Sequence, residues 1–278
     1  MMRKVLFLML FLAVNALNGV ADDTVATENV QSESSLPHVT AEMAVDFPVG
    51  NDSQLRRAIL GFIFDRCQEI YEGVEVERPS NSCNAKEFKA FLDNYTSTLC
   101  RLSAEDRKEC ADALAEEGDT YEADWFSNLY INKTADTDLY VSYTTYNTDF
   151  SGGGHDNRIS EAVTIRKSDG AVISSIFVED AEEKMQDVLW KYLIASEEPE
   201  DPVEYRAEIN RFLEANYGRG NYLMLPTGSI YLAPDGVYIL YSTQEICFWP
   251  GEPVIVIPYE VAKPFLTKEA AQLLEAHP

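Results

Sequence analysis

Two tight-turn signals constrain this chain more than any other feature: Ser168-Asp169-Gly170 and Pro234-Asp235-Gly236. RISEAVTIR and AVISSIF flank the first, and SIYLA and VYILY flank the second. Period-two alternation on both sides of a Gly-containing turn is the pattern of a β-hairpin. A third run, Val254 to Ile257, stops at Pro258 and reads as another strand. Upstream, WFSNLYINKTADTDLYVSYTTYNTDF alternates aromatic or β-branched residues with polar ones, with a turn around Lys133 to Asp138.

Helical periodicity occupies separate stretches. After the possible cap Asn51-Asp52-Ser53, Leu55, Ile59, Phe62, Ile63 and Ile70 share one face. Asn84 to Glu117 is a second helical region, and Ser103 followed by Asp106 predicts a break and a new cap, giving two helices. Met185, Val188, Leu189, Tyr192 and Leu193 form a stripe after a possible cap at Asp180. The next helix has Pro202 in its first turn and Gly218 near its end, and the last is capped by Thr267. Strands and helices segregated in this way predict an α+β fold with antiparallel hairpins.

The N-terminus predicts export. Arg3 and Lys4 precede an apolar run, Val5 to Val14, and small residues end at Ala21, so residues 1–21 read as a signal peptide cleaved near Ala21. The run is too short to span a bilayer, and no later segment is long enough, so no membrane span is expected. Residues 22–42 are polar and acidic and read as a flexible tether that includes His38. The chain carries 22 basic and 47 acidic residues, a net charge of −25, and a mature form with 20 basic residues would carry −27. Such a field repels nucleic acid and favours cationic partners.

Export permits disulfides, and Cys67, Cys83, Cys100 and Cys110 are the candidates, with the pairing open. Cys100 and Cys110 could clip a helix–turn–helix, whereas Cys247 reads as a buried thiol in an apolar strand. The cysteine spacing, without nearby histidines, gives no zinc site.

Two segments resemble a known pair of domains. SGGGH followed by IRKSDGAVIS resembles the glycine–histidine segment of PdaC-type N-terminal domains. Ala233-Pro234-Asp235-Gly236, Glu245, Gly251 and Ile257-Pro258-Tyr259 occur in the order and spacing of RsiV-type C-terminal domains. The resemblance covers about residues 43–270. It implies a curved antiparallel sheet with helices packed on one side and two sequential subdomains, 43–170 (PdaC-type) and 171–278 (RsiV-like). Proteins similar to this pair include the extracellular part of a lysozyme-sensing anti-sigma factor and an accessory region of peptidoglycan deacetylases. The chain carries neither a sigma-binding segment nor deacetylase Asp/His motifs, and where the family reads Ala-His-Gly it has Gly154-His155-Asp156.

The candidate site is the loop Ser151, Gly152, Gly153, Gly154, His155 and Asp156, with Tyr146 beside it. It matches neither a P-loop nor a dinucleotide fingerprint. A metal would need His155 joined by Asp149, Asp156 and further ligands, so neither metal nor cofactor is expected. Ser151 and His155 lack a nucleophile elbow, and 47 acids make carboxylate pairs unavoidable without singling one out. The glycines fit positive φ in a strand connection, with His155 hydrogen-bonding the backbone or presented to a partner. Tyr140 and Tyr146 are expected on one sheet face and Tyr143 on the other. Together these features predict an exported, non-catalytic envelope binding protein, taking a cationic protein such as a lysozyme-type muramidase. The alternative is a peptidoglycan-directed enzyme or glycan-binding accessory module.

Overall fold

A computed structural model describes residues 24–69, 73–247 and 252–274; the expected signal peptide, residues 1–21, together with Ile70, Trp249, Gly251 and His277, lies outside the described residues. The expected tether is largely sheet. β1 (Thr27–Leu36) and β2 (Val39–Pro48) pair antiparallel along their whole length through a two-residue link, Pro37-His38, where His38 takes φ 65°. Inward residues of β1 conceal it from a hydropathy reading. Ser32 is buried, and its hydroxyl donates to Asp93 Oδ1 at 2.7 Å and lies 2.8 Å from Thr96 Oγ1. A polar strand can thus be buried at little cost, because its hydroxyl is satisfied.

α1 (Gln54–Glu69) and α2 (Ala85–Glu116) follow. α2 opens with a reciprocal capping box: Asn84 Oδ1 accepts from Glu87 N, and Glu87 Oε2 accepts from Asn84 N, each at 3.0 Å. It then runs unbroken for 32 residues, and the break expected at Ser103 does not occur. Helix geometry therefore rules out the Cys100–Cys110 clip. Ten residues at ~1.5 Å rise separate them by about 15 Å, beyond the ~7 Å Cα limit of a disulfide. No disulfide joins the described cysteines: Cys67, Cys83 and Cys100 are buried among apolar neighbours, and Cys110 is exposed. Burial pushes the Cys67 thiol up to about 12, which leaves it unreactive.

β3 (Trp125–Asp136), β4 (Tyr140–Phe150) and β5 (Asn157–Arg166) complete a five-stranded sheet in the order β1-β2-β3-β4-β5. One pairing departs from the antiparallel expectation: β2 and β3 run parallel, with α1 and α2 forming the crossover that parallel strands require. One face packs on those helices. Phe88 of α2 sits among Phe47, Phe64 and Phe91, with centroids 4.8, 5.7 and 6.0 Å away. Buried Arg56 donates to the carbonyls of Pro48 (3.1 Å), Asn81 (3.4 Å) and Cys83 (2.5 Å), tying the chain before α2 to β2.

The C-terminal half builds a second core from α3 (Ala181–Lys184), α4 (Gln186–Glu197), α5 (Pro202–Tyr217), β6 (Ile230–Ala233), β7 (Gly236–Leu240), β8 (Val254–Ile257), α6 (Tyr259–Ala262) and α7 (Lys268–Gln272). β6, β7 and β8 form the expected antiparallel meander, with Ala233 opposite Gly236 across the Pro234-Asp235 turn. Asp201 caps α5, Gly218 ends it in the left-handed region, and Thr267 caps α7. Asp180 makes no side-chain cap, and Cys247 is buried but lies outside any strand. The Ser168-Asp169-Gly170 turn forms, with Gly170 N donating to Arg166 O at 2.9 Å. The run after it pairs only at Ile165 and Val172, because Ile173, Ile176 and Phe177 turn into the second core.

A hydroxyl seam joins the two cores. Ser142 Oγ donates to Leu232 O at 2.7 Å, and Thr164 Oγ1 accepts from Leu232 N at 3.0 Å. With its proton committed to Leu232, Ser142 accepts the Thr164 hydroxyl at 3.0 Å. Thr164→Val keeps the shape but orphans Leu232 N in a buried place. It is expected to cost about 1–3 kcal/mol, read as a lower urea midpoint with an unchanged slope.

Candidate functional site

β4 and β5 exchange bonds as far as Asp149 and Asn157, so the loop between them must reverse within a few residues. Gly152 and Gly153 do this at φ +100° and +107°, conformations that side chains disfavour. Gly152 also rests on Tyr121, where a Cβ would come within 2.6 Å of the phenol oxygen. Gly154 has no such requirement, and Ser151 and His155 are exposed.

His155 closes the loop in two directions. Its Nδ1 lies 2.8 Å from the Asp156 carbonyl, and its Nε2 lies 2.9 Å from Gln244 Nε2, which is 89 residues away. A carbonyl only accepts and an amide nitrogen only donates, so Nδ1 carries the proton and Nε2 accepts. The imidazole therefore tethers the glycine loop to the 242–245 turn. Ser151 makes no hydrogen bond to it, and no group of three or more His, Cys, Asp or Glu suited to a metal occurs among the described residues.

Behind the loop lies a cluster that sequence spacing does not bring together. Asp156 Oδ2 accepts from Arg158 Nε at 2.7 Å, and Arg158 Nη1 is 3.8 Å from Glu252 Oε2. Ser160 Oγ donates to Glu252 Oε1 at 3.5 Å, and Tyr146 hydrogen-bonds the same carboxylate. Burial raises the Glu252 carboxyl against the pull of Tyr146 and Arg158, and burial beside Glu252 lifts the Tyr146 phenol to about 12. Asp149 is likewise raised by burial. The cluster thus gathers Tyr146 of β4 with Asp156, Arg158 and Ser160, which alternate along the start of β5, while Gln244 and Glu252 reach it from distant segments.

Glu245, a motif residue, shapes the opposing turn rather than facing solvent chemistry. Its Oε2 accepts from Ser242 N at 2.9 Å, which helps hold Gln244 at φ 59°. Burial raises its pKa, so folding favours the neutral acid, and ionisation opposes folding as pH rises through the folded value. Glu245→Gln keeps an acceptor for Ser242 N and removes that opposition. The variant is expected to melt above the parent at pH 7, the gap closing as pH falls below the ordinary glutamate range near ~4.3, checked by calorimetry across pH.

Beside the cluster, the sheet face opposite the helices is only partly covered. Tyr140, Ser142 and Ala162 lie beneath the second core or its seam, and Tyr143 points to the first core, as the alternation predicts. Farther along the same face, Tyr130 and Tyr146 stack at 6.4 Å, and at the end of the strands Phe126 stacks at 6.1 Å on Phe150, which also packs against the first core; all four are half-buried. Glu33 and Glu42 stand exposed on the neighbouring strands, and Tyr130 hydrogen-bonds Glu42. The arrangement is an aromatic surface bordered by carboxylates.

No family model and no curated protein matches the chain. Its fold is shared with solved structures. A member of the DUF3298 family from Bacteroides fragilis aligns with TM-score 0.63 and 18% identity over 90% of this chain and 96% of the other. A DUF3298 family protein from Pseudomonas aeruginosa aligns with TM-score 0.51 and 18% identity over 90% and 97%. These likenesses place the α+β architecture among DUF3298 proteins, a family of unknown function. No helix among the described residues is long and apolar enough to cross a membrane.

Proposed function

We propose that this is an exported, non-catalytic envelope protein that binds a cationic protein of the lysozyme type, with PdaC-type and RsiV-like parts at 43–170 and 171–278. The observation that carries the reading is the half-open sheet face, where two stacked aromatic pairs lie beside Glu33 and Glu42. Aromatic residues supply contact area at low entropic cost, and the −25 charge steers basic partners to the surface.

Titration with hen lysozyme at low and at moderate salt tests it. Saturable binding is expected, weakened at least tenfold by Glu42→Lys, with His155→Ala acting through the adjacent loop and leaving the fold intact. Absence of binding at low salt overturns the reading. A parallel pull-down on insoluble cell wall, with assays for released acetate and amino sugar, reports the alternative of a glycan-binding or peptidoglycan-directed module.

A further inference from the structure

The two C-terminal motifs meet at a groove that the binding face does not use. Pro234 of the hairpin turn and Tyr259 of the Ile257-Pro258-Tyr259 segment line it with Thr137, Tyr140, Ala271 and Leu274, and Glu260 and Lys263 stand at its rim. Its volume, about 580 Å³, falls in the range of small-molecule sites.

Hydrogen-bond direction on its wall can be deduced. The Tyr259 hydroxyl donates to the Ala233 carbonyl, which has no proton to give. A phenol has one proton, so across the 3.1 Å contact Tyr140 is the donor and Tyr259 the acceptor. Thr137 Oγ1 is turned inward, accepting from Leu139 N and Tyr140 N at 3.3 and 3.1 Å and donating to Tyr140 O at 3.3 Å. The relay Tyr140→Tyr259→Ala233 therefore leaves the Tyr140 oxygen as an acceptor with its own proton spent. Inside the charged rim of Glu260 and Lys263, the phenol pair offers an acceptor and no free proton, which selects the polarity of a head seated against it.

We propose that this groove is a binding site for a small single-chain amphiphile whose head donates a hydrogen bond, such as a hydroxyl. The apolar chain lies along Pro234, Ala271 and Leu274, and the head donates to Tyr140. A head that only accepts finds no proton on the phenol pair. The site is independent of the protein-binding face, and either assignment stands without the other.

Two neutral probes of equal length, 1-octanol and heptyl methyl ether, isolate the head group from the protein's long-range field. Calorimetric or NMR titration of the intact protein is expected to show saturable octanol binding at least tenfold tighter than the ether. Tyr259→Phe frees the Tyr140 proton, so the ether should gain and the preference shrink at least threefold. Ala271→Phe, at a half-buried rim position, should abolish both. Equal affinity for the two probes, no saturable binding of octanol, or an octanol-to-ether ratio unmoved by Tyr259→Phe overturns the proposal. Each variant's far-UV spectrum and melting curve establish that it is folded.

Discussion

Replacing Gly170 by alanine is expected to destabilise the protein by about 2–5 kcal/mol, the sum of ~1–2 for a left-handed residue and ~1–3 for an overpacked contact. Gly170 sits at φ +69°, and a Cβ there would meet Gln54 O at 2.7 Å, Gln54 C at 2.8 Å and Leu55 N at 2.9 Å. These are backbone atoms at the start of α1, so no side chain can swing aside to make room. The glycine thus does more than reverse the chain after β5: it lets the turn dock on the helix that covers the first core. Gly218 supplies the comparison, because it has nearly the same φ, +63°, and nothing within 4 Å of its Cβ position. Gly218→Ala should show only the backbone part, about 1–2 kcal/mol. Urea unfolding of both variants separates the two contributions. Equal losses would remove the docking contact from the explanation.

The contrast shows what the residues announce and what they withhold. Pro234-Asp235-Gly236 announces its hairpin because turn chemistry is local: alternating runs on both sides need only each other. Pro202, Gly218 and Thr267 mark helix ends for the same reason. β1 is withheld because one of its two buried positions, Ser32, is a serine satisfied by Asp93 on a helix 61 residues away, which leaves Val30 alone as an apolar mark of its burial. The parallel pairing of β2 with β3 is withheld because period two is the same for either direction, and the crossover that decides it contains both helices. The unbroken α2 shows local signals losing: Ser103 and Asp106 invite a cap, yet the helix continues for ten residues past Asp106. At the candidate site Gly152 and Gly153 take the positive φ that glycine allows, while Gly154 does not, so the sequence marked the turn but not which glycine makes it. Gln244 and Glu252, which complete the cluster, could be found only through the fold, because nothing near either residue refers to residues 146–160. The motif residue Glu245 was visible as a position, but its work is to hold Gln244 in place.

Gly236→Ala is the companion test at the other turn, with an expected loss of about 2–3 kcal/mol from overpacking alone. Its φ lies outside the left-handed region, so the backbone itself tolerates alanine. The obstacle is β8: a Cβ on Gly236 would sit 2.5 Å from Ile257 O, 3.1 Å from Ile257 C and 3.4 Å from Pro258 Cα. Relief requires the β6–β7 turn and the start of α6 to separate, and the Tyr259–Ala233 hydrogen bond spans that same gap. The two motifs of the C-terminal half are therefore one packing unit, with glycine permitting the approach and tyrosine fastening it. Because one displacement strains both, Gly236→Ala and Tyr259→Phe should be non-additive: the double variant is expected to lose less than the sum of the singles. A double-mutant cycle by urea unfolding measures this. Simple additivity would mean that turn and tyrosine act separately.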